Sequence, residues 1–424
     1  MSAVVAQVNN LAITGMNDFT KKSAPLELER TFKRFTPQNA TTFSPLNNNS
    51  TVINIGPQDW LDPRECELSL AVETSGGTSP KVAPLISALF RRVVVRDMAG
   101  NVLEDIDGYN LCDRVCVEAF SSTEYKGNYL AAVAGYTSGG EDCSVKKFFS
   151  IPLHLLGLFG GGLSKYFPLK FTSGLQMEIF WEDASIATLG TAVATNYTVS
   201  DVQLLLPIVK LDPAYDATVA QVIRESGLVF YYNTWSRSGL DLVQSSPALY
   251  NLNFPDRYLK NILVVQRRTA DISSATTDKI GTFRKNFLEE WQFDLNGSPY
   301  PNFPIKCLGS APQSYNMLYK SMNLYGNATQ GSITGSDYAA AELASGLNNA
   351  SSTNVATKFI IGMDFETSML NEKAVSGLDT RSVNNKVGLN LKHYKTPDAS
   401  QLNAFAHTDR CIVIKEYGVI ERMF

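Results

Sequence analysis

Strict alternation of apolar and polar positions dominates the chain. In "CELSLAVET" Cys66, Leu68, Leu70 and Val72 fall on one face and Glu67, Ser69 and Glu73 on the other. "LQMEIFWED" repeats this with Leu175, Met177, Ile179 and Trp181. "WQFDLNGSPYP" does so with Trp291, Phe293 and Leu295, and ends in an Asn296-Gly297 turn. Successive side chains of a strand point to opposite faces, so each run predicts a strand with one buried side. Further strand-like runs lie at 51–56, 202–211, 258–265, 358–366 and 411–421, between clusters of Gly, Pro, Asn and Ser. This layout predicts an all-β protein of antiparallel sheets.

Helical spacing is confined to short segments. "DPAYDATVAQVIRESG" offers Asp212 as N-cap and Pro213 at the first helical position. Its apolar residues recur at Tyr215, Val219, Val222 and Ile223, and it stops at Gly227, near the middle of the chain. Segments 109–120 and 314–326 also have helical spacing and occupy similar places in the two halves. Each half therefore reads as strands, a helix-bearing insertion, then more strands. The first 45 residues show no alternation. There "KKSAPLELERTFKRF" sets Lys21, Lys22, Arg30, Lys33 and Arg34 against Glu27 and Glu29, and it predicts an N-terminal arm with one short basic helix. The polar stretch 326–354 reads as an exposed loop with a short helix around Tyr338 to Ala344.

Composition narrows the function. The chain has 424 residues, room for two domains. Charged residues make up only 18%, which suits a protein with extensive protein–protein surface. A formal net charge of -4 excludes a polycation that coats nucleic acid by charge alone. The six cysteines show no C-x-x-C, and the first residues lack a basic region before their apolar stretch, so free thiols in a reducing compartment are expected. No run approaches the roughly 18 apolar residues of a membrane span. The Asn-x-Ser/Thr triplets, such as those at Asn39 and Asn196, then read as accidents of an Asn-rich chain.

Candidate chemistry is sparse. His154, His393 and His407 show no metal-ligand spacing; His154 reads as a ring packed near a strand end. His407 and Asp409 imitate part of a triad, but no G-x-S-x-G elbow supplies a nucleophile. Cys112 and Cys116, four apart, read as small apolar residues on a buried helix face. "GLFGGGLSK" (157–165) resembles a phosphate cradle without the G-K-[ST] ending, and reads as a flexible loop. Neither catalysis nor a cofactor is expected.

The most charged strand is "RRVVVRDMAGNVLED". It reads as a hairpin with a tight two-residue turn at Gly100-Asn101 and with its valines toward the core. Arg91, Arg92 and Arg96 cannot be buried unpaired. They are expected to point outward, paired with Glu104 and Asp105 on the returning strand, as assembly contacts.

Three stretches in order carry a family resemblance: "TTFSPLNNNSTVINIG", "ALFRRVVVRDMAGNVLEDIDGYN" and "FFSIPLHLLGLFGGGLSKYFPLKFTSGLQMEIFWED". Gly100-Asn101, Leu103-Glu104-Asp105 and Tyr109-Asn110 form one element; Ile151-Pro152-Leu153 and Phe167-Pro168-Leu169 bracket a glycine loop. "WQFDLNGSPYPNFPIK", "SGLDTRSVNNKVGLNLKH" and "DRCIVIKEYGVIERMF" are consistent with them in the second half. Over roughly residues 40–424 the chain resembles double jelly-roll major capsid proteins of the adenovirus-like lineage of DNA viruses, especially those of polinton-like viruses and virophages. The resemblance implies two tandem eight-stranded jelly-roll sandwiches with a few short helices in loops. It divides the chain into an arm (1–45), a first roll (46–211), a connecting helix (212–226) and a second roll (227–424). It implies pseudo-hexagonal homotrimers that tile an icosahedral shell beside penton and minor capsid proteins, built in host cytoplasm or nucleus. The arm would face packaged DNA or an internal membrane. A rival reading is a jelly-roll module that binds carbohydrate or a receptor.

Overall fold

The computed structural model describes residues 27–77, 79–160, 165–190, 194, 196–324, 331–339, 356–366, 376–384 and 386–423. Eight principal strands make the first half: β1 (Glu27–Phe35), β2 (Ser50–Ile55), β3 (Glu67–Ser75), β4 (Phe90–Asp97), β5 (Val102–Asp107), β6 (Lys147–Pro152), β7 (Leu175–Trp181) and β8 (Asn196–Leu211). Helix α1 (Tyr109–Phe120) lies between β5 and β6, and α2 (Pro213–Ser226) leads to the second half. There follow β9 (Leu228–Asp241), β10 (Ala248–Leu252), β11 (Tyr258–Arg268), β12 (Leu288–Leu295), β13 (Ser298–Lys306), α3 (Pro312–Ser321), β14 (Ile360–Asp364), β15 (Val387–His393) and β16 (Ser400–Ile414).

Apart from short additions, the first half forms sheets ordered β1-β8-β3-β6 and β2-β7-β4-β5. The second half forms β9-β16-β11-β14 and β10-β15-β12-β13. Adding eight to every strand number of the first half gives the second. Each pair of four-stranded antiparallel sheets is a jelly roll, the architecture in which eight strands wind as two Greek keys. Alternation does the folding: β7 buries Leu175, Met177, Ile179 and Trp181 and leaves Gln176, Glu178 and Phe180 half-covered. One continuous apolar core runs through both rolls.

Register sets a polarity. Glu27 pairs with Leu211, Leu228 with Ile414, and Leu175 with both Ile55 and Asp97. The start of β1, helix α2, the turns after β2 and β4, and the hairpin after β16 therefore gather at one end, called here the linker end. The insertions carrying α1 and α3 leave from the opposite end.

Helix α2 begins at Asp212, whose carboxylate accepts the Ala214 N–H, and stops at Gly227, as the sequence predicts. Helix α1 spans the predicted residues, with Cys112 and Cys116 buried; all six cysteines are buried free thiols. The helix expected around 338–344 is seen as Gly335–Ala339; residues 340–354 lie outside the described residues. The Asn296-Gly297 turn is the two-residue hairpin expected, with φ of 55° and 87° and Leu295 opposite Ser298.

Two local expectations are corrected. Residues 27–35 are a strand. The short basic helix expected here does not form: Phe32 is 62% exposed, and the free edge of the 16-residue β8 offers this segment a ladder of backbone partners. Tertiary pairing overrides local spacing. The β4–β5 turn has three residues, Met98, Ala99 and Gly100. It is closed by Asp97 N–H to Asn101 O and Gly100 N–H to Asp97 O, both 3.0 Å, with Gly100 at φ 92°. The Asp97 carboxylate takes the Asn101 backbone N–H at 2.8 Å, which favours the longer loop.

Candidate functional site

The predicted charged residues divide into a surface set and an internal set. On β4, Val93 and Val95 enter the core. Val94 is fully buried on the other face, in register with Glu178 on β7 and Asp105 on β5. Those two carboxylates hold the strand's arginines: Arg92 Nε donates to Asp105 at 2.7 Å, and Arg96 pairs with Glu178. The two ion pairs thus lie beside the one valine that faces away from the core. Arg91 is exposed. The expected Arg–Asp pairing across the ladder is present for Arg92 and Asp105, while Arg96 turns to β7.

Glu104 contradicts the outward placement. It is fully buried, and its carboxylate accepts the N–H of Gly157 at 2.9 Å and of Leu158 at 2.6 Å. The start of the glycine-rich loop is therefore a packed anion cradle filled by the protein's own carboxylate. Gly157 is obligatory there: a Cβ would sit 2.1 Å from the Asn233 carbonyl of the second roll. Residues 161–164 lie outside the described residues. Burial pushes the Glu104 carboxyl up to about 7, against the pull of the two N–H donors and Arg410.

Around Glu104 the return strand β5 is a clasp between the rolls. The Leu103 carbonyl accepts from Tyr232 Oη and from Arg410 Nη1, both at 2.8 Å. Arg410 is in turn held by the buried Asp256 at 2.7 and 3.0 Å, and Arg422 also reaches Asp256 at 2.6 Å. Higher on the same strand, Asp107 pairs with Arg237 of β9 at 2.8 Å. At the insertion end a second buried cluster centres on Glu118 of α1. It takes Arg114 at 3.0 Å, Lys126 at 2.8 Å and Lys358 of the second roll at 2.7 Å, while Arg114 also reaches Asp278 at 3.0 Å. Burial alone would raise the Glu118 pKa, but Arg114, Lys358 and Lys126 together hold it well below the usual carboxylate range. Between the clusters, Phe120 meets Trp235 edge-on at 6.4 Å and Phe167 lies 5.7 Å from Phe230.

The histidines serve packing and pairing. The partly exposed His154 lies 2.9 Å from Asp113, whose charge outweighs desolvation and raises the imidazole pKa. His407 stacks on Trp235 at 4.8 Å, and burial lowers it to about 3. Asp409 instead accepts the N–H groups of Ser376 and Gly377, so the pair makes no triad. Among the described residues no group of three His, Cys, Asp or Glu is placed to hold a metal.

Of the basic arm residues, Arg30 on β1 pairs with Asp62 at 2.9 Å and Glu65 at 2.8 Å, Lys33 donates to Gln58, and Arg34 is exposed. Lys21 and Lys22 lie outside the described residues. The sequence reading missed Arg410, Asp256, Tyr232 and the Glu118 cluster. Lone charges inside apolar strands, as in "DRCIVI", were the available signal.

Two jelly rolls of one topology, joined side by side in a single chain, define a double jelly roll. Solved structures of that fold bear this out. VP54 of the virus PBCV-1, fitted into a reconstruction of the virophage Sputnik, matches with a TM-score of 0.64 at 13% identity, covering 96% of this chain and 99% of that one. The Faustovirus major capsid protein matches with a TM-score of 0.57 at 8% identity, over 97% and 98%. The mavirus major capsid protein matches with a TM-score of 0.51 at 8% identity, over 96% and 92%. No protein-family model matches the sequence, and no curated protein does.

Proposed function

We propose that the chain is a major capsid protein that self-assembles as pseudo-hexagonal homotrimers into the icosahedral shell of a double-stranded DNA virus. The observation that carries this reading is the repeated topology: two jelly rolls with one strand order, locked side by side by buried charge. Such a monomer presents two similar lobes, and three copies present six, the outline of a hexagonal tile. The similarity to the Faustovirus and mavirus major capsid proteins supports it over nearly the whole chain. The role is structural, without a cofactor. The chain's place is the virion, with assembly in host cytoplasm or nucleus and with penton and minor capsid proteins as further partners.

In this reading the domains divide at 1–45, 46–211, 212–226 and 227–424, with β1 reaching back from the first segment into the first roll's sheet. Arg91, Arg92, Arg96 and Asp105 are surface charges that set register between neighbours; Glu104, being internal, leaves that set. The basic residues Lys21, Lys22, Arg30, Lys33 and Arg34 belong to the inner face, toward DNA or an internal membrane.

Light scattering on the purified protein at micromolar concentration should give a trimer mass, and negative-stain images should show pseudo-hexagonal particles or shells. A lone monomer at every pH and salt tested would favour the carbohydrate- or receptor-binding module instead.

A further inference from the structure

The linker end carries an arginine-lined cleft. It is open, about 440 Å³ in volume, and its wall includes Phe254, Arg257, Arg381, Arg422 and Met423. Asp379 holds Arg257 through two bonds of 3.0 and 2.6 Å. The buried Asp256 is shared between Arg410 and Arg422. Among the described residues the exposed Arg381 guanidinium has no ion-pair partner. Among the described residues, four arginines thus face Asp256, Asp379 and, beyond Arg410, Glu104, so arginines outnumber carboxylates in and beneath one concavity. Burial, and after it the charge of Arg410, lower the Arg422 pKa while Asp256 opposes them.

Phe254 and Met423 add apolar surface to its wall; Met423 is 60% exposed, and the hairpin that leads into Arg422 presents Val419 and, at 91% exposure, Tyr417. That hairpin is braced, because the Gly418 carbonyl accepts the Ser173 N–H at 3.3 Å. Guanidinium groups offer planar forks to phosphate oxygens, and the exposed Met423 beside them, with Tyr417 on the hairpin that leads into Arg422, suits the boundary between headgroups and acyl chains. A free inorganic anion would have no use for the exposed apolar rim. We propose that this cleft is a phosphate-recognition site for an anionic lipid headgroup, by which the linker end docks on a bilayer surface. The inference rests on the capsid reading only for where such a bilayer is met, inside the shell.

Flotation of the full chain with phosphatidylcholine vesicles, with and without phosphatidylserine, tests it at low and high salt. Binding is expected only with phosphatidylserine and should fall with salt, since surface potentials decay within a Debye length. Arg381→Ala, at an exposed residue with no ion-pair partner among the described residues, should weaken binding about five-fold and Arg381→Glu about 25-fold. Tyr417→Ser should also weaken the binding to phosphatidylserine vesicles. Equal binding by wild type and Arg381→Glu, no flotation at all, or complete displacement by a DNA duplex would overturn the proposal. Light scattering on the same samples separates the two readings: intact trimers that ignore the vesicles sink this inference and leave the capsid assignment standing.

Discussion

Glu104 is a carboxylate withdrawn from water and solvated again by backbone N–H groups. Its pKa lies at about 7 rather than the ordinary 4.5, so the folded state holds a proton there that the unfolded chain has lost. A raised pKa contributes stability that is full below 4.5 and is lost as pH rises through 7. The loss amounts to about 3 kcal/mol at most. Glu104→Gln, which keeps an acceptor and cannot ionise, should flatten that part of the profile. The wild-type minus variant difference from urea unfolding between pH 4.5 and 7 checks it, and subtraction removes the overlapping titrations of His154 and His407. A flat difference curve would mean that the carboxylate stays ionised throughout. Glu118 behaves in the opposite sense. Its pKa is depressed, so its contribution is present above 4.5 and is lost only on strong acidification. Glu118→Ala should cost about 3–5 kcal/mol at neutral pH, because Arg114, Lys126 and Lys358 would be left buried without their counter-charge. Denaturant midpoints measure this directly, and a loss under 1 kcal/mol would show that water reaches the cluster.

At the scale of elements, the glycine loop after β6 matters through one close approach. Gly157→Ala would drive a methyl into the Asn233 carbonyl, and overpacking of this kind typically costs about 1–3 kcal/mol or more. Gly56→Ala, with nothing within 4 Å, should stay within about 0.5 kcal/mol. Thermal melts of the pair check the contrast; equal shifts would place the strain elsewhere. Strand β1 shows the reverse dependence. Its own residues argue for little, and it is a strand because β8 has an edge to fill.

At the scale of the molecule, the seam decides whether the two rolls act as one body. An apolar core continuous across both rolls, with an ion cluster at each end, predicts one cooperative unfolding transition rather than two. Scanning calorimetry should give a calorimetric enthalpy equal to the van't Hoff value. Two resolved peaks would mean that the rolls unfold independently. A rigid two-lobed unit is also what a shell tile requires, since slack between lobes would blur the angles between neighbours.

Strand alternation, the capped helix at 212–226 and the Asn-Gly hairpin were legible in the sequence. Each depends on side-chain periodicity or on the φ/ψ needs of one or two residues. The jelly-roll pairing was readable only through resemblance. Strand β9 hid because its inward positions include Thr234, Ser236 and Ser238, which read as polar until a partner covers them. The fate of each charge was left to the tertiary structure. Asp105 and Glu104 are adjacent in one strand, so they must point to opposite faces, and the sequence says which pair of faces but not what lies against each. Asp105 meets Arg92 across the ladder at the surface. Glu104 meets a loop that is more than fifty residues away in sequence and closes over it only when the second roll packs behind.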